Sequence, residues 1–207
     1  MRIDGPKFIG NALCLDFVNT LTWRGTPWPH DYLRGYGDLV DWSRGAGILD
    51  EAEAAELHKK AAKDRRRADV VLGAARELRE AIHGLITSVA RGKAHDAADV
   101  AALNRVLAKA PRRRGLAKGE AGFVWKLSER PRTLDAMLFP IAESAGETLV
   151  AAEAARLKSC ASPECGWVFL DTTRGNRRRW CDMADCGNRV KARRHYLKAH
   201  TLPEKRR

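Results

Sequence analysis

The strongest constraint in this chain is a set of four cysteines near its end: Cys160, Cys165, Cys181 and Cys186. They form a CxxxxC pair, fifteen intervening residues and a second CxxxxC pair. Two short cysteine pairs close around one tetrahedral ion when the chain between them doubles back, and four thiolates are a zinc set. The segment between the pairs suits that path. WVFLD and RRRW have strand chemistry, and Thr-Arg-Gly-Asn between them can turn. The first pair falls in a tight turn helped by Pro163 and Gly166. Cys186 enters the first turn of a helix running to about His200. Knuckle, hairpin and helix around one ion describe a treble-clef-like finger. Four ligands leave no open position for a catalytic water, so the expected cofactor is one structural Zn2+. Four ordinary buried thiols, or a redox pair, are the competing readings, although the CxxC spacing of redox pairs is absent.

The same stretch carries the charge. Residues 156–207 hold 14 Lys and Arg against five Asp and Glu, a net of +9, whereas residues 1–155 come to +3. Four thiolates on one divalent ion make a site of about −2, which neighbouring cations offset. One or two of Arg174, Arg177, Arg189 and Lys191 are candidates for that task, and most of the excess remains. On a helix, Arg189, Arg193 and Tyr196 form one stripe and Lys191, His195 and Lys198 another, with Val190 and Leu197 as an inward seam. Clustered cations displace counterions from phosphates, and a helix fits a DNA major groove. Arg177, Arg179, Arg189, Arg193, Arg194 and Lys198 are therefore the candidate DNA contacts, with Arg177 and Arg179 on one strand face reaching flanking phosphates. RNA, or an acidic protein face, satisfies the charge argument as well.

The first 155 residues read as mainly helix with a small β-hairpin. Asp50 and Glu53 signal a helix start, and the spacing predicts a helix over 50–66. Val71, Ala75, Leu78, Ile82, Leu85, Ile86 and Val89 predict another over 69–91. A third starts at Asp96 and ends by Pro111, residues 115–128 form a hairpin, and a helix from Thr133 to about Lys158 is kinked or divided by Pro140. That last helix makes a rigid join to the tail. The Arg65–Arg67 and Arg112–Arg114 runs are expected at helix C-termini, where the dipole favours cations. Cys14 is a small buried core residue.

Cys186-Gly187-Asn188-Arg189 followed by VKARRHY resembles the CGNR zinc-finger family, together with the paired CxxxxC spacings. The N-terminal part resembles the ABATE domain of stress-induced transcription regulators, through Leu13-Cys14-Leu15-Asp16-Phe17-Val18-Asn19-Thr20, then Asp31, Leu33 and Asp38-Leu39-Val40-Asp41-Trp42. The resemblance implies a helical ABATE-like domain over 1–155, a CGNR-type finger over 156–207, and DNA binding by that finger. Asp16 and Asn19 either brace backbone, or Asn19 with Arg24 and the tryptophans Trp23 and Trp28 lines a pocket for a small anionic or aromatic effector. A sensing domain joined to a DNA-binding finger would make a one-component transcriptional regulator. A single finger buries little area, so a homodimer through the helical body would extend its site.

No catalytic constellation accompanies these features: GxSxG, HExxH and a phosphate-cradling glycine loop are all absent, and a non-enzyme is expected. No apolar run reaches the roughly 18 residues of a membrane span, so no membrane partner is expected. The N-terminus lacks a signal-peptide pattern, which points to the cytoplasm, where thiols stay reduced.

Overall fold

The structure, a computed structural model, describes residues 5–110, 114–119, 122–127 and 133–200. Its axis is α4 (Arg65–Ala90), a helix of 26 residues and about 39 Å. Ala68, Val71, Leu72, Ala75, Leu78, Ile82, Leu85 and Ile86 are buried along one stripe at helical spacing, so α4 can be packed along its whole length. Around it lie α1 (Leu13–Val18), α2 (Tyr36–Gly45), α3 (Glu51–Lys63), α5 (Ala97–Leu107) and α6 (Leu138–Val150). Cys14, Leu15, Phe17 and Val18 of α1 are completely buried against this group.

The helix starts follow the predicted chemistry. Asp50 and Glu53 form a reciprocal capping box on α3, and Asp96 accepts from the Ala98 amide to open α5. The arginine run departs from expectation. Asp64 ends α3 and caps α4, accepting from the Arg67 amide, so Arg65–Arg67 fill the first turn of α4 instead of a C-terminus. The acidic cap offsets cations at the unfavourable end of the dipole. Of the second run, Arg114 opens a strand, and Arg112 and Arg113 lie outside the described residues.

The hairpin falls where the sequence puts it: β3 (Arg114–Gly119) pairs antiparallel with β4 (Gly122–Leu127), Leu116 opposite Trp125. The long helix expected from Thr133 to Lys158 is not formed. α6 begins at Leu138, which puts Pro140 in its first turn, where a missing N–H costs no helical hydrogen bond. It stops at Val150. Ala151 is extended, a 3-10 turn covers Ala152–Arg156, and Leu157–Ser159 form β5. Leu157, buried in the main core beside α4, favours that change of direction over continued helix.

A small ribbon, β1 (Leu21–Thr22) with β2 (His30–Asp31), leaves α1 and is pinned to α4 by an ion pair between the buried Arg79 and the partly buried Asp31. The Arg79 guanidinium donates to both Asp31 oxygens at 2.7 Å and to the Thr20 hydroxyl at 3.1 Å, and it is 3% exposed. Burial alone would raise the Asp31 carboxyl; Arg79 outweighs that and holds it below its usual value. Asp31→Ala leaves the buried Arg79 guanidinium with Glu80, 3.2 Å from Nε, as its remaining counter-ion and two donor nitrogens without their acceptor, so a loss of about 1–3 kcal/mol is expected. Thermal melting of the variant checks this.

Candidate metal centre

β5 pairs with β6 (Val168–Leu170) in antiparallel register, Leu157 opposite Leu170 and Ser159 opposite Val168. The expected pairing of WVFLD with RRRW is therefore replaced: WVFLD pairs backwards with the segment before the first cysteine, and residues 177–180 form no strand. Asp171, the last residue of WVFLD, gathers the following segment into a loop instead. Fully buried, it accepts from Lys158 Nζ at 2.6 Å, the Thr173 hydroxyl at 2.6 Å, the Thr173 amide at 3.0 Å and the Arg178 amide at 2.8 Å. Burial works against ionisation, but these donors outweigh it and hold the carboxyl far below the usual range. The loop of residues 172–180 is wrapped around this carboxylate, and Lys158 also donates to the carbonyls of Asn176 and Arg178.

The β5–β6 turn is a knuckle that carries the first ligand pair. Cys160 leaves β5 with its amide donating to the Trp167 carbonyl at 2.8 Å, and Gly166, at φ +71°, turns the chain back after Cys165. Cys181 follows the Asp171 loop. Cys186 sits in a single wide π-type turn, Met183–Gly187, capped by Asp182 through the Ala184 amide. The last helix, α7 (Asn188–His200), continues from it.

The four sulfurs lie within 4.8 Å of one another, all buried. Cys165 and Cys181 are 3.6 Å apart and Cys181 and Cys186 3.5 Å. These separations match the edge of about 3.8 Å that four Zn–S bonds of about 2.3 Å impose on a tetrahedron. They are far beyond the roughly 2.05 Å of a disulfide, and all five cysteines are free thiols. Four buried sulfurs packed this closely share hydrogen bonds with one another, and without a counter-charge their ionised forms conflict. A divalent ion removes that conflict by holding all four as thiolates. The residues fit one structural zinc.

Comparison with known proteins agrees with this geometry. Residues 11–152 match ABATE, described as "Putative stress-induced transcription regulator". The chain belongs to the ABATE family. Residues 156–199 match the CGNR zinc finger, so the ABATE region is followed by the module whose cysteines are gathered here. No curated protein matches the chain.

In this ABATE protein Asn19, Arg24 and Trp23, expected to line an effector pocket, each make contacts within the fold. Asn19, 1% exposed, donates to the Val168 carbonyl at 2.9 Å and accepts from the Val168 amide at 3.0 Å. Arg24 pairs with both Glu80 oxygens, at 2.5 and 3.2 Å, and its amide donates to the Cys165 carbonyl. Trp23 lies with its ring 4.4 Å from the Arg189 guanidinium carbon. His83 of α4 also reaches the knuckle, 3.2 Å from the Gly166 carbonyl. Burial, then the Arg24 charge, lowers its pKa to about 4, so the neutral ring donates.

The candidate DNA contacts divide into three groups. Arg177 and Arg179 are exposed on the Asp171 loop, in irregular chain and not on a shared strand face. Arg194 and Lys198 are exposed on α7 and line, with Val190 and Leu197, a groove of about 410 Å³ against Ser162–Glu164. Arg193 lines it too and pairs with Glu164 at 2.8 Å. Arg189 is drawn inward, 3.2 Å from the Cys186 sulfur. The expected apolar seam of α7 is not buried: Leu197 is 55% exposed, Val190 half-buried, and α7 has no buried residue.

Freshly purified protein should carry one zinc per chain by elemental analysis, and Cys181→Ser should carry none. Because Leu157 and Val168 belong to the main core, chelation should lower the melting temperature of the whole chain in one transition. Calorimetry with and without a chelator measures that.

Proposed function

We propose that this protein binds duplex DNA through α7 and the Asp171 loop, and that it acts as a one-component transcriptional regulator. The observation that carries the reading is α7 itself. Its thirteen residues hold five Lys and Arg and no acidic residue, and none is buried. A helix about 20 Å long with that composition does little for a core and much for a polyanion. It starts directly from the metal-bearing turn, so the zinc fixes its origin. Arg194 and Lys198, with Arg193 once released from Glu164, supply the groove-facing cations; Arg177 and Arg179 supply flanking phosphate contacts. The ABATE description and the CGNR match support the regulatory half of the reading. The metal contributes no catalysis, since four thiolates complete its coordination. Homodimerisation through the helical body is part of the proposal, because one such helix covers a short site.

Fluorescence anisotropy of the zinc-loaded protein against mixed-sequence duplex DNA, titrated across salt, tests it. Binding should weaken steeply with salt, by about 0.9 in logarithmic slope for each phosphate neutralised. Arg193→Ala with Arg194→Ala should lower that slope by about 2 without changing zinc content. No binding at about 50 mM salt, where electrostatic contact is strong, would overturn the reading. Tighter binding to single-stranded RNA than to duplex DNA would redirect it to RNA.

A further inference from the structure

Arg189 is the first cation of α7, and its guanidinium is turned onto the protein rather than held free in solvent. One nitrogen, Nη2, is 3.2 Å from the Cys186 sulfur and 3.0 Å from Asp185 Oδ1. The guanidinium carbon sits 4.4 Å from the centre of the Trp23 ring. Its other two nitrogens, Nε and Nη1, are buried without a hydrogen-bond partner among the described residues. A planar cation in that condition is satisfied by a ring face and a thiolate together. A residue kept for phosphate would leave those nitrogens in water.

Trp23 is built for the other half of the contact. Its backbone is at φ +61°, a left-handed conformation that bulky side chains rarely adopt and that persists where the surroundings over-determine it. The next residues fasten the same turn to the knuckle: the amides of Arg24 and Gly25 donate to the carbonyls of Cys165 and Glu164. The backbones approach so closely that a Cβ on Gly25 would stand 2.0 Å from the Pro163 carbonyl oxygen. The helical body thus offers an aromatic face where α7 leaves the cysteine cluster.

We propose that Arg189 is a positioning residue of the zinc centre, clamped between the Cys186 thiolate and the Trp23 ring, and that this clamp ties the origin of α7 to the ABATE body. Arg189 neutralises part of the charge of the thiolate cluster and fixes the orientation of one ligand, as hydrogen-bonded partners of metal ligands do. Trp23 fixes Arg189. DNA contact is then left to Arg193, Arg194, Lys198 and the loop arginines.

The test needs no nucleic acid for its main reading, so it stands apart from the test of DNA binding. Zinc affinity of the full-length protein is measured by competition with a chromophoric chelator, and the sulfur-to-metal charge-transfer band is recorded after replacing zinc with Co2+. Arg189→Gln should weaken zinc binding roughly 10–100-fold. It should also move the band to lower energy, because a thiolate that loses a hydrogen bond is more easily oxidised. Trp23→Leu, which removes no group that touches a sulfur, should shift both readings the same way by a smaller factor. Arg189→Lys, which keeps the charge without the planar face, should recover only part of the loss. If Arg189→Gln fails to fold, Trp23→Leu and Arg189→Lys carry the same comparison. Native zinc affinity and an unmoved band in Trp23→Leu would overturn the clamp. Native zinc binding in Arg189→Gln with a shallower salt slope on DNA would overturn it too, and would make Arg189 a phosphate contact.

Discussion

The Asn19 amide and the Val168 main chain exchange two hydrogen bonds, both buried, and much of the molecule's organisation depends on that exchange. β6 belongs to a sheet of only two strands, so Val168 has an N–H and a C=O pointing out of the ladder with no third strand to meet them. A side-chain amide, with one donor and one acceptor, substitutes for the missing strand and closes the edge. The contact also carries Leu157 and Val168 into the core of the helical body. The metal-binding region is therefore not a bead on a tether. Its first two ligands grow out of a hairpin that the body has already fixed, Cys160 leaving β5 and Cys165 preceding β6.

Electrostatics then sorts the cations of the C-terminal quarter by distance from the sulfurs. Four thiolates on a divalent ion need partial neutralisation, and Arg189 stands within hydrogen-bond reach of Cys186. Burial by itself would lower the Arg189 pKa, but the Cys186 and Asp185 charges raise it, so the cation belongs to the cluster. Lys158 is committed to the buried Asp171, and Arg178 to main-chain carbonyls around Cys181 and to the face of Phe169. Among the described residues, the side chains these duties leave exposed include Arg174, Arg177 and Arg179 on the loop and Lys191, Arg194 and Lys198 on the helix. A net charge of the tail overstates what a ligand would meet, since a share of it is internal bookkeeping of the site.

What was readable in the sequence follows the range of the physics involved. The metal set was legible because cysteine chemistry is specific, and helices α3, α4 and α5 because caps and a period near 3.6 are local signals. The strand partner of WVFLD was not legible. RRRW and Leu-Lys-Ser are both acceptable partners by propensity, and a buried carboxylate seven residues away from Arg178 decided between them. Likewise Ala-rich residues 151–156 have high helix propensity, and tertiary burial of Leu157 overrode it. That Asn19 needs a partner is legible from its apolar surroundings; that the partner is Val168, 149 residues away, lies beyond any local rule.

Asp171 and Asn19 are two forms of one solution. A finger this small cannot order its loops by hydrophobic burial alone; apart from its cysteines, only Trp167 and Phe169 are buried in its own cluster. It relies instead on buried polar side chains that satisfy main-chain groups, each of which admits few alternative geometries. The loop that presents Arg177 and Arg179 takes its shape from a carboxylate, and the helix that presents Arg194 and Lys198 takes its origin from a thiolate cluster. Both exposed cationic elements are thus anchored by buried anions of their own chain. The cations beyond the anchors stay exposed to solvent, while those at the anchors hold still the surface that carries them.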